Sequence, residues 1–134
     1  MAFYNKLRGV IMILIGKVKT GLGNASYWMK KAEKAFEQKL GTQLYNGTLN
    51  VELKDKYILD GNLKILNRGE YGGDQDVYIK ECIVLGHKSY IVRTEKNSKK
   101  DGDHPLNLLE IISDVCFRER YNLKDGDIIE ININ

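Results

Sequence analysis

The sequence predicts a mainly β protein: a small barrel with one early α-helix. Its 134 residues, 43% of them hydrophobic, are enough for a single domain with a core. Apolar residues at helical spacing lie early, between Trp28 and Leu40. From residue 43 onward, short apolar stretches alternate with turn-forming residues, which is the pattern of antiparallel strands. We therefore take residues 1–134 as one domain, with residues 1–8 as a short polar lead.

The first elements are a strand and a helix. Val10 to Lys19 is rich in valine and isoleucine, which favours a strand. The helix that follows has Asn24 or Ser26 available to cap its amino end. Gly41 stands where a helix commonly ends in a left-handed residue. The apolar stripe of this helix predicts a face packed on the core, and its lysines predict a solvated face.

The strands after the helix are separated by turn signals. Asp60-Gly61 and Asp125-Gly126 are dipeptides typical of hairpins. Val77 to Leu85 and Ser89 to Arg93 flank Gly86-His87 and predict another hairpin.

The last part of the chain adds three features. Ile129, Ile131 and Ile133 alternate with polar residues, as in a half-buried strand. A helical turn is predicted near Phe117 to Tyr121. Glu95 to Asp103 is polar and lysine-bearing, and we expect a mobile loop there.

Composition excludes several classes of function. The net charge of +3 permits an anionic ligand and does not indicate nucleic acid. Cys82 and Cys116 lack metal or disulfide spacing, and His87 and His104 have no partner at metal-ligand spacing. Val10 to Ile15 is too short to span a bilayer and lacks the flanks of a signal peptide. We expect a cytoplasmic protein with no membrane or nucleic-acid partner, and reduced cysteines in the core.

A glycine pair follows the first strand, at Gly21-Leu22-Gly23. Such a turn before a helix can present N–H groups to a phosphate, which the helix dipole also favours. The sequence lacks the Gly-Lys-Ser/Thr of a P-loop and the third glycine of a dinucleotide fingerprint. An ordinary turn and a phosphate-binding loop both fit this pattern.

Thr48 and Asn50 lie two residues apart, directly after Gly47. Residues two apart point to the same face of a strand, so both side chains can meet one ligand. They are neutral oxygen donors, which suit Mg²⁺ only if nucleotide phosphates supply most of the negative charge. The alternative is structural: Thr48 closes a turn and Asn50 bonds to the backbone.

Glu110 interrupts an apolar run, Leu108 to Ile112. Burying a carboxylate without a partner is costly, so its position has two explanations. Strand alternation can place it on a solvated face, or it can accept hydrogen bonds or a proton from a ligand. Arg118 and Arg120 are near enough in sequence to pair with it or to meet a ligand anion.

Taken in order, these segments resemble the archaeal CTP-dependent riboflavin kinases. The resemblance extends over roughly residues 13–133 and rests on short matches, each of a few residues. The matching segments are Gly16-Lys17-Val18, Thr20 to Gly23, Ala25 to Tyr27, Leu40-Gly41, Leu44 to Val51, Ile91 to Thr94, Leu109 to Ser113 and Leu123 to Asp127.

The resemblance implies a cradle-loop β-barrel that uses riboflavin and CTP, and we expect it to act as a monomer. It implies transfer of the CTP γ-phosphoryl group to the riboflavin 5′-hydroxyl, giving FMN and CDP, with Mg²⁺ as cofactor. Thr48 and Asn50 are then the metal ligands, and Glu110 is a flavin-binding and candidate catalytic residue. The implied nucleotide-binding residues are Gly21, Leu22, Gly23, Asn24, Ala25, Ser26, Val115, Cys116, Phe117 and Arg118.

Gly102 departs from the family pattern. Family members usually have a threonine that contacts the flavin eight residues before the acidic residue, and this chain has Gly102 there. The implied flavin-binding position therefore lacks a side chain. Two alternatives stay open: a non-catalytic relative that binds nucleotide or flavin, and a small regulatory or nucleic-acid-binding barrel.

Overall fold

A computed structural model describes residues 2–6, 9–21, 25–95 and 105–133. The strands are β1 (Ala2–Lys6), β2 (Gly9–Lys19), β3 (Leu49–Leu53), β4 (Lys64–Leu66), β5 (Val77–Val84), β6 (His87–Thr94), β7 (Leu108–Ile112) and β8 (Ile128–Ile133). The helices are α1 (Ala25–Leu40), α2 (Arg68–Tyr71) and α3 (Phe117–Arg120). No helix within these ranges is both long enough and apolar enough to cross a membrane.

Six antiparallel strands close into a barrel, which confirms the predicted fold class. The ring runs β2, β3, β7, β6, β5, β8, and it closes because β8 pairs with both β5 and β2. β1 extends the sheet beside the first half of β2, and β4 pairs with the outer edge of β5. The polar lead predicted for residues 1–8 thus contains a strand, Ala2–Lys6, within its described part.

The alternation of apolar residues along the strands fills the barrel. Successive residues of a strand point to opposite faces, so every second side chain enters the interior. On β3, Leu49, Val51 and Leu53 are buried while Asn50 and Glu52 are half-buried on the other face. The interior also holds apolar side chains of the other barrel strands: Leu14, Val18, Val84, Ile91, Leu109, Ile111, Ile129 and Ile131.

Helix α1 packs on the outside of the barrel. Met29, Ala32 and Phe36 form a second buried cluster with side chains on the outer face of the sheet. This confirms the core-facing stripe of the predicted helix. The helix ends where expected: Gly41 has a φ of 72°, and its N–H donates to the Glu37 carbonyl at 2.8 Å.

Two of the hairpin predictions were wrong. Gly61 and Gly126 do have positive φ, at 77° and 93°, so both dipeptides form turns. However, β4 pairs with β5 rather than with β3, and Asp125-Gly126 joins α3 to β8. A turn dipeptide reports local backbone preference, whereas the strand partner is chosen by packing elsewhere in the barrel.

The β5–β6 hairpin is confirmed, with its turn one residue earlier than predicted. Leu85 and Gly86 have φ of 52° and 74°, as in the tight two-residue turns that favour strand twist. His87 is already paired with Val84. The helical turn at Phe117 and the alternating strand at Ile129 are confirmed as α3 and β8. Of the predicted loop 95–103, only Glu95 lies within the described residues.

Candidate functional site

A cavity of about 280 Å³ opens at one end of the barrel. Its walls come from three segments: the end of β2, the entry to β3, and the end of β7 with the start of α3. In antiparallel neighbours, the end of one strand lies beside the start of the next, so these segments share a rim. The lining residues are Thr20, Gly21, Tyr45, Asn46, Gly47, Thr48, Leu49, Asn50, Ile111, Ser113, Val115, Cys116, Phe117 and Arg118.

Thr48 and Asn50 lie side by side in this cavity. Leu49 between them is buried, and the amide nitrogen of Asn50 donates to the Thr48 hydroxyl over 3.4 Å. A half-turn of the amide brings its oxygen to the place of the nitrogen, so two neutral oxygens can face one ligand. Such a pair fits Mg²⁺ that arrives with nucleotide phosphates, because the pair itself supplies no charge.

Gly21 is held against Asn50. A Cβ atom at position 21 would lie 2.4 Å from Asn50 Nδ2, which is far inside contact distance. Any larger residue at this position would have to displace the Asn50 side chain, although Gly21 has no unusual φ. Leu22, Gly23 and Asn24 lie outside the described residues, while Ala25 and Ser26 form the start of α1.

The opposite wall is fixed by Ser113. Its hydroxyl donates to the Val115 carbonyl at 2.9 Å and accepts from the Val115 N–H at 3.2 Å. The Ser113 carbonyl in turn accepts from the N–H of Tyr45 at 2.8 Å. The predicted stretch Val115 to Arg118 is therefore tied to the segment that leads into Thr48. Sequence reasoning gave Ser113 no role, although a serine after a strand is a known turn signal.

Tyr45 and Cys116 meet in the cavity lining. A hydrogen bond with the Cys116 thiol is the main cause that raises the pKa of the Tyr45 hydroxyl. Tyr45 is 42% exposed, so its ring is accessible from the cavity. Cys116, which we expected in the core, is half-buried at this site, and Cys82 is buried as expected.

Arg118 pairs with Asp125 rather than with Glu110. Its Nη2 lies 2.5 Å from Asp125 Oδ1, and Thr20 Oγ1 donates to Asp125 Oδ2 at 2.7 Å. The hydrogen bonds from Thr20 and then from Arg118 lower the pKa of Asp125. A single carboxylate thus connects two lining residues from different walls. Nothing in the sequence spacing points to this bridge.

Glu110 borders the cavity without lining it. It is half-buried and stands opposite Asn50 in the β3–β7 pairing. Residues directly opposite in an antiparallel pair share a face, with Cβ atoms about 4.5–5.5 Å apart. Since Leu109 and Ile111 fill the interior, Glu110 and Asn50 lie together on the outer face. Gly102, the other predicted flavin-binding position, lies outside the described residues.

The family model CTP-dep_RFKase, described as "Domain of unknown function DUF120", matches residues 18–133. The chain belongs to the CTP-dependent riboflavin kinase family. The matched range includes all the cavity-lining residues and Glu110.

Curated riboflavin kinases from archaea share this family's sequence pattern with the chain. The riboflavin kinase of Pyrobaculum aerophilum is 35% identical over an alignment of 133 positions, which covers 90% of this chain and 60% of that protein. That of Methanocella arvoryzae is 32% identical over an alignment of 126 positions, which covers 90% of this chain and 56% of that protein. That of Staphylothermus marinus is 34% identical over 122 residues and 90% of each chain. The chain thus spans less than two thirds of the first two relatives and most of the third.

Proposed function

We propose that this protein transfers the γ-phosphoryl group of CTP to the 5′-hydroxyl of riboflavin, giving FMN and CDP. The observation that carries the proposal is the convergence of three family segments on one cavity. Thr48 and Asn50 stand on its wall, and Glu110 lies next to Asn50 on the same face. Several curated members of the family are named riboflavin kinase.

The nucleotide belongs in the cavity. Gly21 brings its backbone against Asn50, and helix α1 begins at Ala25, four residues later. A helix amino terminus favours phosphate through its unpaired N–H groups and dipole. On the opposite wall, backbone groups from Val115 to Arg118 read the edge of the cytosine. The hydrogen bonds of Ser113 hold this stretch in a fixed shape.

Thr48 and Asn50 complete the coordination of a magnesium ion that the triphosphate carries. Both ligands are neutral, so their affinity for free metal would be low, and they would hold the ion together with the nucleotide phosphates. When bound, Mg²⁺ offsets charge that develops on the transferred group, which is the main requirement of phosphoryl transfer. The chain's own part is to position the phosphates and the acceptor hydroxyl.

Glu110 binds riboflavin, the phosphoryl acceptor. Its carboxylate accepts hydrogen bonds from ligand hydroxyls, and its place opposite Asn50 brings the acceptor near the phosphate-binding wall. The same carboxylate is our candidate for the group that takes the proton of the 5′-hydroxyl.

The proposal is tested by incubating the protein with riboflavin, Mg²⁺ and each nucleoside triphosphate in turn, and measuring FMN by chromatography. We expect CTP to be the best donor. Equal rates with CTP and ATP would remove the cytosine-reading role of residues 115–118. No FMN with any donor at saturating substrates would reject the kinase, and would favour a relative that binds nucleotide or flavin without catalysis.

Replacing Glu110 by glutamine should raise the KM for riboflavin about fivefold and leave the KM for CTP nearly unchanged. A hydrogen bond to a charged group contributes about 1 kcal/mol more than a neutral one, which is about fivefold in affinity. Glu52→Gln is the matched control, because Glu52 is on the neighbouring strand β3 and pairs with Lys19. Equal effects of the two substitutions would contradict the flavin role. A pH–rate profile unchanged by Glu110→Gln would exclude the base role.

Chemical modification of Cys116 can report on cavity occupancy, with the buried Cys82 as an internal reference. Burial raises the pKa of Cys82 to about 12, so its thiol stays protonated and unreactive in ordinary buffers. Cys116 lines the cavity. Iodoacetamide should therefore modify Cys116 alone, and CTP with Mg²⁺ at about ten times its Kd should slow that reaction about tenfold by occupancy. Peptide mass mapping measures both rates, with ATP as the matched nucleotide. Protection by neither nucleotide would place the ligand elsewhere.

A further inference from the structure

Asp125 joins the two walls of the cavity although it does not line it. One carboxylate oxygen accepts from Thr20, at the end of β2, and the other accepts from Arg118, on α3. Both donors line the cavity. One side chain thus bridges the end of β2 and the start of α3, in addition to the backbone hydrogen bonds that join Val18 to Gly126 and Asp127.

Stability of the fold does not account for this bridge. The Asp125 side chain is 56% exposed, and exposed ion pairs contribute little to the free energy of unfolding. The carboxylate is nevertheless strongly engaged, since hydrogen bonds from Thr20 and Arg118 lower its pKa. The bridge thus orders two lining side chains at a place where their order matters for a ligand.

Of the two side chains, Arg118 benefits more from the bridge, because the bridge orders its guanidinium before a ligand binds. An arginine side chain has many rotamers, and fixing it on binding costs entropy that a preordered group does not lose. Asp125 accepts from one nitrogen, and a guanidinium carries five N–H donors, so others can reach an anionic ligand. Arg118 also neutralises Asp125, whose charge would otherwise repel a triphosphate nearby.

We propose that Asp125 is a positioning residue for the nucleotide, which holds Arg118 and Thr20 in the arrangement that binds CTP. The inference rests on the proposed function for the identity of the nucleotide. It assigns to Asp125 no contact with substrate: the residue acts through Arg118 and Thr20.

The test compares Asp125→Ala and Asp125→Asn with Asp127→Asn. Asp127 is the matched control, because its carboxylate caps the Lys124 N–H in the same turn and bonds neither to Thr20 nor to Arg118. Calorimetry gives the Kd for CTP and for CDP with Mg²⁺, and initial rates give the KM for CTP and for riboflavin. Thermal melting shows whether each variant is folded.

We expect Asp125→Ala to weaken CTP and CDP binding about tenfold, the size typical of coupling within one hydrogen-bond network. Asp125→Asn should be intermediate, and the KM for riboflavin should be unchanged. In an Arg118→Ala background, a further Asp125→Ala should change the Kd less than it does in the wild type. Asp127→Asn should bind like the wild type.

Three results would overturn the inference. They are wild-type nucleotide affinity in a folded Asp125→Ala protein, an equal loss in Asp127→Asn, and fully additive effects of the Arg118 and Asp125 substitutions. Absence of FMN formation by the wild type would reject the kinase, yet the Kd values for CTP and CDP would still decide the role of Asp125. A wild type that binds neither nucleotide would overturn both.

Discussion

Replacing Thr48 by valine is expected to lower the rate of FMN formation about 10²–10³-fold in a protein that remains folded. Valine keeps the shape of threonine and removes only the hydroxyl. That hydroxyl accepts a long hydrogen bond of 3.4 Å from Asn50, so its loss costs little stability. We expect a large effect on the reaction because this oxygen, as a proposed metal ligand, acts where charge develops. Initial rates at saturating CTP and riboflavin measure the effect on the reaction, and thermal melting measures the effect on stability.

Thr42→Val is the matched control for this substitution. Thr42 lies just beyond α1, and its hydroxyl donates only to the adjacent Gln43 carbonyl at 3.3 Å. It is outside the cavity lining, so its replacement should leave the rate unchanged. A folded Thr48→Val protein with normal activity would remove Thr48 from the proposed metal site. Raising the Mg²⁺ concentration should restore part of the rate if the lost contact is to the metal.

Replacing Gly21 by alanine should lower the rate of FMN formation about 10²-fold with little change in stability. The added methyl group would meet the end of the Asn50 side chain at 2.4 Å. A flexible side chain can rotate away, so the fold survives. Asn50 then no longer lies beside Thr48, and the geometry of the proposed metal site is lost.

Gly16→Ala provides the opposite case, because Gly16 lies within strand β2 itself. Its added methyl group would lie 2.6 Å from Val51 Cγ1 and 2.8 Å from the Glu52 carbonyl oxygen, inside the barrel wall. Backbone cannot rotate away, so we expect a loss of about 1–3 kcal/mol in the free energy of unfolding. Chemical denaturation and initial rates separate the two variants. Equal loss of stability in both would show that Gly21 serves packing rather than the site.

The parts of the site that lie close together in sequence were predictable. Thr48 and Asn50 are two residues apart on a strand, so their common face follows from strand geometry alone. Residues 115–118 are continuous in sequence and lie where the connection from β7 enters α3. In both cases the short distance in sequence is enough to predict that the residues lie close together in space.

Contacts between distant segments were not predictable in this way. Thr20 and Asp125 are 105 residues apart, and only barrel closure brings them together. The hairpin signals failed for the same reason, because a turn dipeptide does not specify which strand will pair. Glu110 was ambiguous because β7 is covered on both faces: Ile111 enters the barrel while Ile112 packs under α1. An apolar run with both faces covered shows no clear alternation.

Closure of the barrel by β8 sets the order in which this site can form during synthesis. A ribosome that has just made Thr20 must add 105 residues before Asp125 exists, which takes roughly 5–20 s at translation rates of about 5–20 residues per second. Throughout that interval β2 lacks its β8 partner, and the far wall of the cavity, residues 113–118, is made only near its end. Nucleotide can therefore stabilise only the finished barrel. Until then the unclosed barrel exposes apolar strand residues, and bound nucleotide cannot stabilise it.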